Sequence, residues 1–186
     1  MTEAIQVPTS DYAVRTGPEV VRLERDLPGP VERVWAYLVE PHRRKLWFAD
    51  GPMELRTGGA VHLIWRNSQL TPNDVPPPEQ YAKNGGESRA SGTVTAYDPP
   101  HRISFTWAHP GDPETEATFE LQPNGDRVTM IVTHRRLVTD GLVLGVSAGW
   151  HSHLAVLEAK LAEREPPKFW ATLGALRETY RKRYGM

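Results

Sequence analysis

Three groups of residues have types and spacings that could support chemistry. The first is Gly145-Val146-Ser147-Ala148-Gly149, a G-x-S-x-G run. In a hydrolase such a run bends a strand into a helix and lifts the serine above a parallel sheet, with an acid and a histidine later in the chain. No Asp follows Ser147, and the residues after it read as helix. Ser147 is therefore expected to cap that helix. The second group is His151-Ser152-His153. On a helix, neighbours two apart diverge by about 200°, so the pair cannot face one ion. The i, i+4 spacing of a zinc helix is absent too. No metal is expected. The third group is His134, ending a strand, and His62, within one. A buried imidazole beside an apolar ligand is held neutral, so either ring would serve as a donor or acceptor.

Apolar recognition has more candidates. Six tryptophans make wide aromatic surfaces available, for a core or a pocket wall. Trp47, Trp65, Trp107 and Trp150 are the main candidates for ligand contact. Phe105, Met130 and Leu154 extend the set. In a fold that closes around a cavity, core packing and pocket lining are overlapping roles for these side chains.

The element expected to position them is a helix over 147–164. Trp150, Leu154, Leu157 and Leu161 recur on one face of a 3.6-residue repeat, and Pro166-Pro167 end the run. Most of what precedes it alternates as strands. Residues 21–27 alternate, with Arg25 as the exception. Residues 31–39 and 42–49 read as two short helices. Residues 53–56 and 60–66 read as a hairpin around Thr57-Gly58-Gly59, and the pattern of the second strand leaves open which side faces in. Strands follow over 88–97, 103–107, 117–121 and 128–132. The turn Pro123-Asn124-Gly125-Asp126 is a hairpin signal. A final helix is expected over 168–183, with the stripe Phe169, Leu173, Leu176, Tyr180 covering either its own domain or a second copy. Its basic end, Arg177, Arg181, Lys182 and Arg183, suits the helix C-terminal dipole. Residues 67–86 carry a proline cluster and read as a long loop: a lid, a partner-docking segment or a plain surface loop.

Together these give an α+β fold. An antiparallel sheet of six to seven strands curves around one long helix, because a single apolar helix face after many strands needs a sheet to lie on. The division is an N-terminal extension over 1–18, a domain over 19–165 and an additional helix over 166–186.

Composition narrows the function classes. Lys+Arg number 22 and Asp+Glu 23, a net charge of −1, which gives no footing for nucleic-acid binding through global charge. The chain has no cysteine, which excludes disulfides and thiolate metal sites. It has no apolar run of the roughly 18 residues that a membrane helix needs, and no signal-peptide pattern at its start. A cytoplasmic protein without cofactor is the expectation.

The segments LPGPVERVWAYLVEPHRRKLWFA, MELRTGGAVHLIW, SGTVTAYDPPHRISFTWAHPG, LQPNGDRVTMIVTHRRL and SAGWHSHLAVLEAKLA, in that order, resemble the SRPBCC superfamily of helix-grip domains. Its START, birch-pollen-allergen and polyketide-cyclase groups share this architecture. Within it, the chain is most similar to the family named for activators of the heat-shock chaperone ATPase. The likeness spans about residues 19–164. The extension, the proline-rich insert and the last helix depart from it. The resemblance implies a small hydrophobic or amphipathic ligand held between sheet and long helix. It also links some members to a chaperone and the stress response, and a few to acid/base enzymes. Three roles follow as expectations: a ligand-binding module, a co-chaperone-like interaction domain, and a cyclase or dehydratase using a cavity histidine. The terminal helix adds the expectation of a homodimer.

Overall fold

The computed structural model describes residues 11–186. Seven antiparallel strands form one sheet in the order β1-β2-β7-β6-β5-β4-β3. They are β1 (Val14–Gly17), β2 (Val20–Pro28), β3 (Ala60–Trp65), β4 (Ser88–Asp98), β5 (Arg102–Trp107), β6 (Thr115–Asn124) and β7 (Arg127–Arg135). Among the described residues there are also four α-helices: α1 (Val31–Val39), α2 (Pro41–Arg44), α3 (Asp140–Leu161) and α4 (Phe169–Tyr184). The α+β helix-grip class expected from the sequence is what forms. Residues 14–17, read as part of the extension, add an edge strand beside β2. The first ten residues of that extension lie outside the described residues.

Alternation fixes the inner face of the sheet. On β3 it is Val61, Leu63 and Trp65 that are buried, and His62 that is exposed. That settles the side left open by the sequence pattern. Ile103, Phe105 and Trp107 of β5, and Val128, Met130, Val132 and His134 of β7, continue the same face. Register brings the outgoing ends together: Trp65 pairs with Ser88, Trp107 with Thr115, and His134 with Ala117. Trp65, Trp107 and His134 therefore sit at one end of the sheet. Arg25 also points inward. Its Nη1 donates to the Glu24 carbonyl at 2.7 Å, and burial lowers its pKa.

The long helix starts earlier than the sequence suggested. Its N-cap is Thr139, whose hydroxyl accepts from the Leu142 N–H at 3.2 Å. Ser147 thus lies two turns inside and caps nothing. Its Oγ donates to the Val143 carbonyl at 2.7 Å and meets the Tyr184 hydroxyl at 2.9 Å. Helix α3 is buried against the sheet on one side and against α4 on the other. A helix enclosed on both sides needs no polar face, which is why Ala148, Ser152, Val156 and Ala159 are buried along with the leucines.

Two expected elements are shorter than the patterns suggest. The second helix stops at Arg44, because that guanidinium is buried and collects backbone carbonyls. It donates to Ala49 at 3.0 Å, to Val39 at 3.3 Å and also to Gly51. The chain must leave the helix to present those oxygens. Burial draws the Arg44 pKa down to about 10, still fully charged at neutral pH. The strand expected over 53–56 reduces to one bridge, Met53 to Val61. Beyond it the backbone turns, with the Arg56 N–H bonded to Glu54.

Candidate functional site: an aromatic cavity under two helices

At the Trp65–Trp107–His134 end, Trp150 of α3 reaches the sheet through His134, and open space remains around that contact. A cavity of about 180 Å³ lies between helix and sheet. Its walls are aromatic: Phe48, Trp65, Trp107 and Trp150 from the grip, Phe169 and Trp170 from α4. Trp107 stands edge-on to Trp150 with centroids 5.9 Å apart, and Phe48 lies 4.9 Å from Trp150. A second chamber of about 400 Å³ adjoins it, and Tyr81, Trp107, His109, His134, Gly145 and Val146 line both. An engineered apolar cavity of about 150 Å³ is enough to hold benzene. The inner chamber is therefore of single-ring size, with room beyond it.

Of the residues expected to contact a ligand, Trp65, Trp107, His134 and Trp150 border this space. Trp47, Phe105, Met130 and Leu154 do not. Phe105, two residues back from Trp107, and Met130, four back from His134, lie deeper on the inner face, where the core is closed. Leu154 is one helical turn past Trp150 and has no exposed surface. Trp47 has none either, and its indole N–H donates to the Tyr37 carbonyl at 2.8 Å. His62 sits on the outer face near Ser91.

The two helical histidines face apart, as their spacing requires. His151 meets the Tyr180 hydroxyl at 2.9 Å, and His153 reaches the Trp47 carbonyl at 2.7 Å. No group of three metal-ligating side chains occurs among the described residues. His153 borders the cavity and was not among the expected ligand contacts. Burial holds His134 down to about 3 and His153 to about 4, so both rings are neutral at ordinary pH.

The sequence motif Gly145–Gly149 acts through its glycines. Residues four apart share a helix face, and residues two apart do not. Gly145 and Gly149 border the cavity, whereas Ser147 turns away to Tyr184. A Cβ at Gly149 would meet no atom within 4 Å, and one at Gly145 would only touch Arg177 and Tyr81 at 3.6 and 3.7 Å. Glycine inside a helix costs about 1 kcal/mol relative to alanine. Here it leaves the cavity roof open.

The proline-rich insert is part of the site. Tyr81 and Asn84 line the inner chamber. Its first half caps α4 from a distance: Asp74 accepts from the Trp170 N–H at 2.7 Å and the Ala171 N–H at 3.4 Å, and Thr71 Oγ1 accepts from the Phe169 N–H at 3.1 Å. Ser68 Oγ takes the Trp170 indole N–H at 3.0 Å. Arg177 of α4 returns the contact, donating to the Tyr81 hydroxyl at 2.8 Å. The apolar stripe of α4 is thereby occupied by α3 and the insert of its own chain, so it no longer argues for a second copy. Replacing Asp74 with Ala is expected to lower stability by about 1–2 kcal/mol, the usual worth of a helix cap. Asp74→Asn should recover most of it. Urea midpoints measure both; equal midpoints for Asp74→Ala and wild type would show that α4 docks without this cap.

The family model for activator of Hsp90 ATPase homolog 1-like proteins matches residues 28–162. The protein encoded by gene BPP1335 from Bordetella parapertussis, solved by solution NMR, is 36% identical, with 95% of this chain and 94% of that one covered and a TM-score of 0.77. CalU16 from Micromonospora echinospora is 21% identical over 92% of this chain and 94% of its own, with a TM-score of 0.66. DynU16, of the dynemicin biosynthetic locus, is 22% identical over 83% of this chain and 51% of its own, with a TM-score of 0.61. At those lower identities the likeness is one of fold. No curated protein matches the chain.

Proposed function

The chain belongs to the activator of Hsp90 ATPase homolog 1-like family, and from that premise we propose that it binds a small hydrophobic or amphipathic molecule in the cavity beneath α3 and α4. The observation that carries this reading is the glycine face of α3. A mid-helix glycine pair opposite a wall of aromatic rings keeps space clear that a packed core would fill. Removing the ligand's apolar surface from water would supply most of the affinity, at about 25 cal/mol per Å² before the costs of association.

Other roles have less support. A general base works best with a pKa near the operating pH, and burial has pulled two of the three imidazoles that line the cavity, His134 and His153, to about 3 and 4. An insert serving only as a docking segment would leave the cavity intact when deleted. This one lines the cavity and caps α4, so its deletion should cost ligand uptake as well. No helix of the described residues is long and apolar enough to cross a membrane.

Trp107 borders both chambers and is only partly covered by its neighbours. Trp107→Ala is expected to weaken uptake of Nile red by about tenfold or more while the protein stays folded, the loss of a large aromatic contact being worth over about 1.4 kcal/mol. Dye titration checks the affinity, and far-UV circular dichroism checks the fold. Unaltered dye affinity in a folded variant would place the dye elsewhere.

A further inference from the structure

Two residues that border the inner chamber, His134 and Asn67, each hold a buried polar side-chain atom with no partner among the described residues. His134 Nδ1 lies 2.9 Å from the Trp150 indole nitrogen, and an indole N–H can only donate. The proton of the neutral ring must therefore sit on Nε2. That Nε2–H is fully buried and makes no hydrogen bond among the described residues. His153 is set in the opposite sense. Its Nδ1 faces the Trp47 carbonyl, which only accepts, so Nδ1 carries the proton and Nε2 is a bare acceptor. Asn67 Oδ1 is also buried without a partner beside this chamber. Buried polar groups in folded proteins are almost always satisfied, so orphans bordering one cavity mark what its occupant supplies. The chamber also excludes something: among the described residues, no Asp, Glu, Lys or Arg lines it. A charged end group would lose its hydration there and gain no counter-ion.

Resting on the binding role proposed above, we infer that the occupant is an uncharged, ring-bearing ketone or aldehyde whose carbonyl oxygen accepts from His134 Nε2–H. Its ring lies among Trp65, Trp107 and Trp150. A carbonyl suits this donor because it brings no proton needing a partner of its own. Trp150 has two roles, walling the ring and holding His134 in the tautomer that donates. His134 selects the end group, and the tryptophans select the ring.

Three probes of like size separate these contributions: ethylbenzene, acetophenone and benzoate, each displacing Nile red from the full chain at neutral pH. Benzoate should displace least. His134→Phe should shift the balance between acetophenone and ethylbenzene by about tenfold toward ethylbenzene, equivalent to about 1.4 kcal/mol. His134→Gln, which keeps an N–H near the same place, should retain part of the ketone preference. Infrared spectra of acetophenone bound to the unaltered protein provide a reading that needs no variant. Its carbonyl stretch should fall below the value in hexane, as a hydrogen-bonded carbonyl does. An unshifted stretch, a balance unmoved in His134→Phe, or benzoate as the strongest competitor would each overturn the inference. Ethylbenzene uptake with an unshifted ketone stretch would leave the apolar-binding role standing. Absence of any displaceable dye would remove both.

Discussion

Gly149→Leu should abolish dye uptake and raise stability together. The affinity for Nile red is expected to fall by more than about a hundredfold, because a buried leucine occupies the volume that a ring needs. Stability should rise by about 1–3 kcal/mol. Part of that comes from replacing a mid-helix glycine, and part from burying a side chain in space that is otherwise open. The Cβ position is free of neighbours within 4 Å, and Gly149 borders the inner chamber directly. Gly149→Ala is the control. It gains the backbone contribution, leaves most of the chamber empty and should keep most of the uptake. Thermal melts and dye titrations on the three proteins measure both quantities. A leucine variant that melts lower would show that the space beneath α3 is too small for the side chain. One that melts higher yet binds dye normally would move the binding site away from this cavity.

That prediction rests on a motif the sequence displayed and pattern reading assigned differently. Gly145–Gly149 resembled a nucleophile elbow, and Ser147 resembled a cap. Both readings looked at the serine. A helix beginning at Ser147 leaves Gly145 outside it, so its pairing with Gly149 on one face shows only once the helix is seen to begin at Asp140. The true cap, Thr139, precedes Asp140-Gly141, and a glycine so near a helix start weakens the propensity signal. Alternation was a better guide for the sheet. It placed Trp107 and His134 on strands with one apolar side, since a period of two fixes the side each residue takes, but left the side of Trp65 open because its strand is partly apolar on both. It could not tell how deep along the strand each residue lay. That is why Phe105 and Met130 shared the expectation with Trp107 and His134, yet belong to the closed core. Strand register and the lean of α3 decide depth, and both are tertiary. The roles of Asp74 and Thr71 in capping a helix nearly a hundred residues later were also illegible. Their partners are backbone N–H groups, which carry no sequence signature.

Acid should destabilise the protein in a window that belongs to its buried imidazoles. His134 and His153 keep their neutral form in the fold down to about pH 3 and 4, against 6.5 for an unperturbed histidine. Burial is the first cause for both. The unfolded chain takes up these protons as pH falls through 6.5, and the folded chain does not, so acidification favours unfolding. At pH 5 the unfolded state is ahead by about 1.5 pH units per ring, and at about 1.4 kcal/mol per unit each ring costs the fold about 2 kcal/mol. The pair should therefore lower the unfolding free energy by about 4 kcal/mol between pH 7 and pH 5. His151, partly covered and held to about 4 by burial and the nearby Arg25 charge, adds in the same direction. Carboxylates do not blur this window. Glu178 and Glu87 have lowered pKa values, set first by their bonds to Arg181 and Arg89, and what they contribute is lost only below about 4.5. Urea unfolding at intervals from pH 7.5 to 5 measures the slope. Stability should be flat above pH 7, because neither state protonates these rings there. A His153→Gln variant, whose side-chain amide can still donate toward the Trp47 carbonyl, should lose about a third to a half of the acid slope, according to how much His151 adds. A profile flat down to pH 5 would mean that the rings take up protons within the fold. The cavity would then be wet enough to solvate a charge, and too polar for the uncharged guest that its aromatic walls imply.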